Sequence, residues 1–263
     1  MNFELLFVLL LLGAIVGTMS GLLGIGGGLI VVPALAYLLP LFGIPAELVM
    51  QIALATSLAS IIITSGSSAI NHVKLGNVDL FVIKWLLPGV IVGGLVGSFV
   101  AEWIPFQYLP KVFALIVFAL AVQMILSISS TSTLPLPSPA IMSCCGGVIG
   151  MVSSLAGIGG GSMSVPFLSK HGVEMRRAVG SSSVCGCVIA IAGMIGFILH
   201  GAKAQGLPEY SLGYVYVPAL LAIAVTSMLT TRFGAKLATT MPTPKLKKIF
   251  AVFLVFVSFS MMF

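Results

Sequence analysis

Charged residues are scarce in this chain. Only 7% of its 263 residues are Asp, Glu, Lys or Arg, whereas soluble domains carry about 25%. Hydrophobic residues make up 59%, and the mean hydropathy is +1.22. Too little polar side chain is present to cover a water-facing surface, so the composition excludes a soluble globular domain. The net charge of +6 indicates no nucleic-acid partner, because most of it falls in short loops, where membrane proteins carry topology signals.

Carboxylates are missing from the interior of the apolar segments, since Glu47, Asp79, Glu102, Glu174 and Glu209 all fall at segment boundaries. This placement argues against a carboxylate proton relay. It also argues against a carrier of metal cations, which would need acidic or histidine ligands in its core. No Ser/His/Asp, His-Glu-X-X-His or paired intramembrane Asp arrangement occurs, and there is no P-loop. We therefore predict no catalytic residue, no cofactor and no metal ligand, with an intramembrane enzyme as an alternative.

The first apolar segment lacks the basic residues of a signal peptide. No Lys or Arg precedes Lys74, whereas a signal peptide begins with a positively charged region. We therefore expect the first apolar segment to be a permanent membrane helix.

Cysteine is also sparse, with four residues in two pairs, Cys144-Cys145 and Cys185-X-Cys187. Adjacent and i,i+2 pairs inside apolar helices are poor disulfide candidates, and they lack the spacing of a zinc site. We interpret them as small packing residues. The alternative is that they make transient contacts with a reduced sulfur compound.

What the chain has instead is long apolar segments, and a helix needs about 20 residues to cross a bilayer. Backbone polar groups in hydrocarbon must be paired within the segment, which favours helices, and a β-barrel would alternate polar and apolar residues. The predicted class is therefore an all-α polytopic membrane protein. The candidate segments are 3–19, 47–70, 80–101, 110–128, 139–155, 177–200, 211–231 and 246–263.

The two halves of the sequence resemble each other. Residues 20–35 recur 133 residues later as residues 153–168, with ten of the sixteen positions identical. The following segments also begin alike, with Leu54-Ala-Thr-Ser57 matching Val179-Gly-Ser-Ser182. Paired hydrophobic halves are typical of transporter folds. The predicted organisation is an N-terminal repeat at 1–128, a linker at 129–139 and a C-terminal repeat at 140–263.

Each repeat carries a Gly-Ile-Gly-Gly-Gly motif, followed by an apolar stretch that is too short to span a membrane. Residues 162–170 make about 13 Å of helix at 1.5 Å per residue. Because glycine tolerates any backbone conformation, three in succession favour a bend. We predict that 139–170 forms a helix, an unwound bend at 159–161 and a returning half-helix, and that 1–41 folds alike. Each repeat is then a Gly-bent re-entrant hairpin plus three transmembrane helices, and a single broken crossing is the alternative.

Two re-entrant hairpins give the repeats opposite orientations, which the distribution of basic residues tests. Inverted repeats leave Lys111 and Lys203 outside and place ten basic residues in the cytoplasm. Parallel repeats would give nine against three, so charge separates the two topologies only slightly, and the short half-helix is the stronger argument for inversion. The ten residues are Lys74, Lys84, Lys170, Arg176, Arg177, Arg232, Lys236, Lys245, Lys247 and Lys248.

The doubled Gly-Ile-Gly-Gly-Gly…Val-Pro motif, at 24–33 and 157–166, resembles that of the sulfite exporter TauE/SafE family, as do the Thr-Ser and Ser-Ser pairs at 56–57 and 181–182. The resemblance extends over residues 1–263. It implies an anion transporter for sulfur-containing species such as sulfite, sulfonates or sulfoacetate, usually working outward. It does not imply which of these anions is carried.

A binding site is predicted where the two bends meet. Helix N-termini at Leu29 and Ser162 would direct backbone N–H groups, and a partial positive charge of about half a unit each, into a shared cavity that favours an anion. Nearby hydroxyl groups would add neutral hydrogen bonds. The alternative is that these small residues only allow close helix packing. The predicted substrate-binding residues are Gly26, Gly27, Gly28, Gly159, Gly160, Gly161, Ser20, Ser153, Thr56, Ser57, Ser181 and Ser182.

A second glycine pattern, at Gly89, Gly93 and Gly97, forms a small-residue stripe on the segment 80–101. Stripes of this spacing let two membrane helices approach closely. We predict that this one packs against another helix of the same chain, and a homodimer seam is the alternative.

The sequence therefore predicts a secondary transporter of a small sulfur-containing oxyanion in the plasma (inner) membrane, with export as the expected direction. The membrane potential, negative inside, favours anion exit by about 2.3 kcal/mol per charge per 100 mV, so export requires no ATP site. The predicted partners are the anionic substrate and the lipid bilayer. Uptake of thiosulfate or another reduced sulfur species through the cysteines is the alternative, and a purely structural membrane subunit is a further one.

Overall fold

The computed structural model describes residues 3–23, 27–126, 134–238 and 243–262. Within these ranges the chain forms ten α-helices and one antiparallel β-hairpin. The hairpin strands are β1 (Ser211–Leu212) and β2 (Val215–Tyr216). The helices are α1 (Phe3–Leu23), α2 (Gly28–Leu41), α3 (Ala46–Lys74), α4 (Leu80–Trp103), α5 (Leu109–Leu126), α6 (Pro139–Leu155), α7 (Gly161–Lys170), α8 (Met175–Gly201), α9 (Val217–Ala238) and α10 (Thr243–Met262).

The predicted all-helical membrane class is confirmed. In the described part of the chain, α3, α4, α5 and α8 are long and apolar enough to cross a bilayer. Shorter apolar stretches occur in α1, α2, α6, α9 and α10. The chain is therefore a multi-pass membrane protein, and each predicted segment coincides with a helix to within a few residues, apart from one.

The exception is the segment predicted at 211–231, where the helix begins only at Val217. The residues before it pair as the β-hairpin, with Ser211 opposite Tyr216 and Leu212 opposite Val215. The turn between the strands uses Gly213 at φ 56°, a left-handed conformation that glycine adopts readily. The segment prediction therefore did not distinguish a short hairpin from the start of a helix.

The two halves of the chain interlock through their first and fourth helices. Helix α1 packs along α9, and α6 packs along α4. The contact between α4 and α6 is made by backbone, because a Cβ on Gly89 would overlap the carbonyl oxygen of Ser143, and one on Gly93 would overlap that of Gly147. The glycine stripe of α4 is therefore an intrachain packing surface, as predicted, rather than a dimer seam.

Helices α3 and α8 pack against each other at the centre, with α2 on α3 and α7 on α8. At one end of this pair, the loop after α3 packs on the start of α8, where a Cβ on Gly180 would overlap the carbonyl oxygen of Asn77. At the same end, the Leu134 N–H ahead of α6 donates a 2.8 Å hydrogen bond to the Lys170 carbonyl that ends α7. The segments before α6 and after α7 therefore lie side by side. We call this the basic end, because the exposed Lys74, Lys170, Arg176 and Arg177 belong to it.

Candidate functional site

The two glycine motifs meet against the middle of α3 and α8. A Cβ on Gly28, the first residue of α2, would overlap the carbonyl oxygen of Gly157 and lie 2.7 Å from Ile61 Cδ1 of α3. A Cβ on Gly159 would lie 2.8 Å from Ile61 Cγ2, and the Gly159 carbonyl oxygen occupies the space that a side chain at Gly186 of α8 would need. The structure thus brings Gly28 and Gly159 of the predicted site to one place in the core.

The second motif has the more unusual backbone. Gly157 and Gly160 have φ values of 59° and 68°, a left-handed conformation that is costly for a residue with a side chain. Gly27, which corresponds to Gly160 in the first half, has a helical φ of −72°. The two motifs are therefore related in sequence but differ in local conformation.

The helices after both motifs begin one residue earlier than predicted. The first helical residues are Gly28 and Gly161 rather than Leu29 and Ser162. Gly161, predicted to lie in the bend, is therefore the start of the ten-residue helix α7. The prediction at Gly26 lies outside the described residues.

Two of the predicted hydroxyls, Thr56 and Ser181, accept hydrogen bonds from the opposite half of the chain. Thr56 Oγ1 accepts from the Tyr216 N–H at 3.0 Å, and Ser181 Oγ accepts from the Asp79 N–H at 2.9 Å. Tyr216 and Asp79 are the residues directly before α9 and α4, so the two bonds occupy corresponding positions. We call them the cross-half braces. Each brace uses a hydroxyl lone pair, so the hydroxyl proton can still be donated elsewhere.

We expect loss of a brace to lower stability more than substrate affinity. Thr56→Val removes the acceptor and leaves the buried Tyr216 N–H unsatisfied, which costs about 1–3 kcal/mol. The melting temperature of the purified protein should fall, whereas Thr56→Ser should keep it near the parent value. An unchanged melting temperature for Thr56→Val, with weakened anion binding, would instead make Thr56 a substrate ligand and not a brace.

Ser57 makes the direct link between α3 and the second motif. Its Oγ donates a buried 2.7 Å hydrogen bond to the Gly157 carbonyl oxygen. The same Oγ would lie 3.1 Å from a Cβ on Gly28, so it sits at the junction of the two motifs. Ser20, another predicted residue, is half-buried near the end of α1.

Several buried hydroxyls in the second half of the chain have no hydrogen-bond partner among the described residues. Ser153, Ser154 and Ser182 are at most 2% exposed, and their Oγ atoms have no hydrogen-bond partner among the described residues. The buried Oγ of Ser162 also has no hydrogen-bond partner among the described residues. Because an unsatisfied buried polar group costs free energy, each one in a native structure calls for an explanation, such as a bound ligand or water.

Ser153 and Ser164 lie close to the start of α7, whereas Ser154 Oγ lies against α8, 2.6 Å from the position of a Cβ on Gly193. Ser153 Oγ is 3.5 Å from the position of a Cβ on Gly160, and Ser164 Oγ is 3.7 Å from the same point. Ser182 lies on α8 one turn before Gly186, the residue that contacts the motif. The arrangement places neutral hydrogen-bond donors beside a helix N-terminus, which is a setting that suits an anion.

Ser164 was missed by the sequence prediction. The signal for it was the Ser-X-Ser pattern after the glycines of the second motif, at Ser162 and Ser164. The first motif has the buried Leu29 and Val31 at these positions. The polar lining is therefore concentrated in the second half, although the prediction treated the two motifs as equivalent.

A hydrogen-bonded pair of polar side chains, which the sequence did not suggest, lies at the end opposite the basic end. The hydroxyl group of Tyr214, in the turn before α9, donates a 3.0 Å hydrogen bond to Glu102 Oε1. Burial, and then the charge and hydrogen bond of Glu102, raise the pKa of Tyr214 to about 12. The hydroxyl group therefore stays protonated at neutral pH and remains a donor.

The four cysteines are free thiols, of which Cys185 is fully buried and Cys144 is exposed. We expect that replacing all four by Ala or Ser leaves transport and expression within a few-fold of the parent, because the thiols act as packing groups. Transport of each single variant and of the Cys-free protein would measure this. Complete loss of transport in well-folded Cys185→Ala or Cys187→Ala would favour the thiol-contact alternative.

In the part of the chain that the structure describes, no group of three or more His, Cys, Asp or Glu residues is placed to hold a metal ion.

The fold and the buried polar junction define a class of protein, a multi-pass membrane transporter. A model of the sulfite exporter TauE/SafE family matches residues 9–261. The chain belongs to this family, whose members are membrane transporters and not enzymes.

Several curated proteins are similar over most of the chain. A "Probable membrane transporter protein" of Haemophilus influenzae is 42% identical over 260 residues, which cover 98% of each chain. A protein of the same description from Methanocaldococcus jannaschii is 31% identical over 89% of this chain and 86% of its own. "Probable membrane transporter protein YdhB" of Bacillus subtilis is 29% identical over 94% and 95%. No solved structure matches the chain.

Proposed function

We propose that this protein is a secondary transporter that exports a small sulfur-containing oxyanion, of the sulfite, sulfonate or sulfoacetate class, across the plasma (inner) membrane. The anion binds where the two glycine motifs meet. The observation that carries this proposal is the pair of buried, unpartnered hydroxyls of Ser153 and Ser162 at the start of α7. The family membership supports the substrate class.

The chemistry of the site suits an anion that must bind and leave. The N-terminus of α7 supplies a partial positive charge, which stabilises an anion by typically 0.3–2 kcal/mol. Each hydroxyl donor adds roughly 0.5–1.5 kcal/mol net. These modest contributions select negative charge without trapping the ion. A membrane potential that is negative inside then favours exit by about 2.3 kcal/mol per charge per 100 mV.

We propose an inverted topology in which α6 and α7 form a re-entrant hairpin, with the repeats at 1–128 and 140–263. The hydrogen bond from Leu134 N–H to the Lys170 carbonyl supports it, because a single broken crossing would place these residues on opposite faces of the membrane. The packing of Asn77 on Gly180 adds support. It places the end of α3 beside the start of α8, as inverted repeats require.

We expect position 134 to face the cytoplasm. On a Cys-free background, Leu134→Cys should react with a membrane-impermeant thiol reagent applied from the cytoplasmic face and not from outside. Lys203→Cys, in the loop after α8, serves as the control for the opposite face. Labelling of position 134 from outside would contradict the inverted arrangement.

A panel of anions tests the proposed substrate class. Sulfite, a sulfonate, sulfoacetate, thiosulfate, sulfate and a simple carboxylate are each added to purified protein, and the melting temperature is measured. A ligand that binds only the folded state stabilises it by about 2.7 kcal/mol at 100 times its Kd. We expect stabilisation by sulfite, sulfonate or sulfoacetate. Stabilisation by the carboxylate alone would contradict the sulfur assignment, and stabilisation by thiosulfate alone, lost on removal of the cysteines, would favour thiosulfate uptake.

A further inference from the structure

The route to the proposed anion site differs between the two sides of the glycine motifs. Towards the basic end, the side of α3 that faces α8 is polar, with Ser65 Oγ 3.4 Å from a Cβ on Gly159. One turn further on, Ser68 Oγ lies 3.2 Å from Ser183 Oγ of α8. His72 follows another turn along, with its Cβ 3.3 Å from a Cβ on Gly180. A continuous polar stripe therefore connects the motif to the basic end.

This polar stripe is half-buried rather than sealed. Thr64, Ser65, Ser68, Ser183 and Cys187 are all of intermediate exposure. Both α3 and α7 pack on α8, and each makes its main contact with α8 rather than with the other. The polar stripe therefore lies along the contact between α3 and α8, begins at Gly159 and reaches the basic end. We call it the vestibule, defined by the five residues named above.

Towards the other end, the contact between α3 and α8 is apolar and closed. Leu54 and Leu58 of α3 and Ile189 and Phe197 of α8 are fully buried. Leu58 Cδ1 would lie 2.8 Å from a Cβ on Gly193, so α3 and α8 are in close contact here. A hydrated anion could not pass without separating these side chains.

The polar residues of the vestibule do not recur at the equivalent positions of the other half of the chain. Thr56 and Ser181 correspond, so residues of α3 match residues of α8 that are 125 positions later. By this relation the vestibule residues have small or apolar, mostly buried counterparts in the other half. The pairs are Thr64 with Ile189, Ser65 with Ala190, Ser68 with Gly193, Ser183 with Leu58 and Cys187 with Ile62, and the pair His72 with Phe197 extends the pattern to the basic end.

We propose that the vestibule is the path by which a small anion moves between the basic end and the site at the glycine motifs, and that Leu54, Leu58, Ile189 and Phe197 form the seal on the opposite side. The basic residues at the basic end attract anions, and the hydroxyl groups of the vestibule replace part of their hydration. Because the polar residues lie on one side of the motifs and the apolar contact on the other, the described conformation is open to the basic end and closed to the opposite end. Assigning an anion as the permeant species rests on the proposed function, whereas the vestibule itself does not.

Thiol labelling with matched pairs tests the vestibule. Native Cys187 and native Cys185 are each kept as the sole cysteine, since the first lines the vestibule and the second is fully buried. Ser183→Cys is compared with its counterpart Leu58→Cys, and Ser65→Cys with Ala190→Cys, each on the Cys-free background. Size-exclusion behaviour confirms that each variant is folded, and Leu134→Cys marks the membrane face of the basic end.

An impermeant reagent applied at the basic face should label Cys187, Ser183→Cys and Ser65→Cys at least about tenfold faster than their buried counterparts and Cys185, because reaction requires an accessible thiol. Equal labelling of both members of a pair, or faster labelling of Leu58→Cys and Ala190→Cys from the opposite face, would overturn the vestibule. Sulfite or a sulfonate should slow the labelling of Ser65→Cys, the position next to Gly159. If the labelling rates differ as expected but neither anion slows the labelling of Ser65→Cys, the vestibule is supported and the proposed anion site is contradicted.

Discussion

Gly160→Val is expected to abolish transport while the protein still inserts into the membrane. Gly160 has a φ of 68°, and a non-glycine residue in such a conformation costs about 1–3 kcal/mol. A Cβ there would overlap Ile189 Cδ1 and lie 3.5 Å from Ser153 Oγ, so it would also fill the space beside the proposed anion ligand. Uptake or efflux in proteoliposomes, together with anion-induced stabilisation, measures both effects.

Gly76 provides a matched control for this substitution. It has the same φ of 68°, but a Cβ added to it meets nothing within 4 Å. Gly76→Val therefore carries the backbone strain without filling the core, and we expect it to keep most of its transport. Gly27→Val, the corresponding change in the first motif, should also abolish transport, because its side chain would overlap Val16. Parental transport by Gly160→Val would rule out the tight bend as part of the site.

Gly93→Ala is expected to prevent stable folding. A single added methyl group would overlap the Gly147 carbonyl oxygen, which belongs to the backbone of α6 and cannot rotate away. Overpacking of this kind costs typically 1–3 kcal/mol and occasionally more. The amount of monodisperse protein after size-exclusion chromatography, and its melting temperature, should both fall sharply.

The control for Gly93→Ala lies in the same interface. A Cβ on Gly147 would lie 3.8 Å from the Gly89 carbonyl oxygen, an ordinary van der Waals contact. Gly147→Ala should therefore be tolerated, although it changes the same residue type in the partner helix. Equal stability of the two variants would show that α4 and α6 do not approach as closely as described.

Local sequence patterns predicted most of the helices, because an apolar segment of membrane length has few alternatives to a helix. The glycines at 159–161 predicted an unwound bend, but α7 already begins at Gly161. The β-hairpin before α9 was missed, because strands of two residues each are too short to show an alternating pattern. The pairing of α1 with α9 was also not predictable, because contacts between residues about 200 positions apart leave no local signal.

The candidate site was predicted less completely than the fold. The sequence predicted Thr56 and Ser181 as substrate-binding hydroxyls but could not show that they accept bonds from Tyr216 and Asp79. Those partners lie in other elements, and only the packed structure brings them together. The concentration of unpartnered hydroxyls in the second half was visible at Ser162, but its meaning depends on burial, which the sequence does not give.

The position of the bound anion tests the central claim most directly. A crystal structure with a bromine-substituted sulfonate would locate the ligand by its anomalous signal. The account predicts the sulfonate group beside the start of α7, within hydrogen-bonding distance of Ser153 or Ser162, with weaker binding in Gly160→Val. An anion bound only at Arg176 and Arg177, with Gly160→Val transporting as well as the parent, would contradict it.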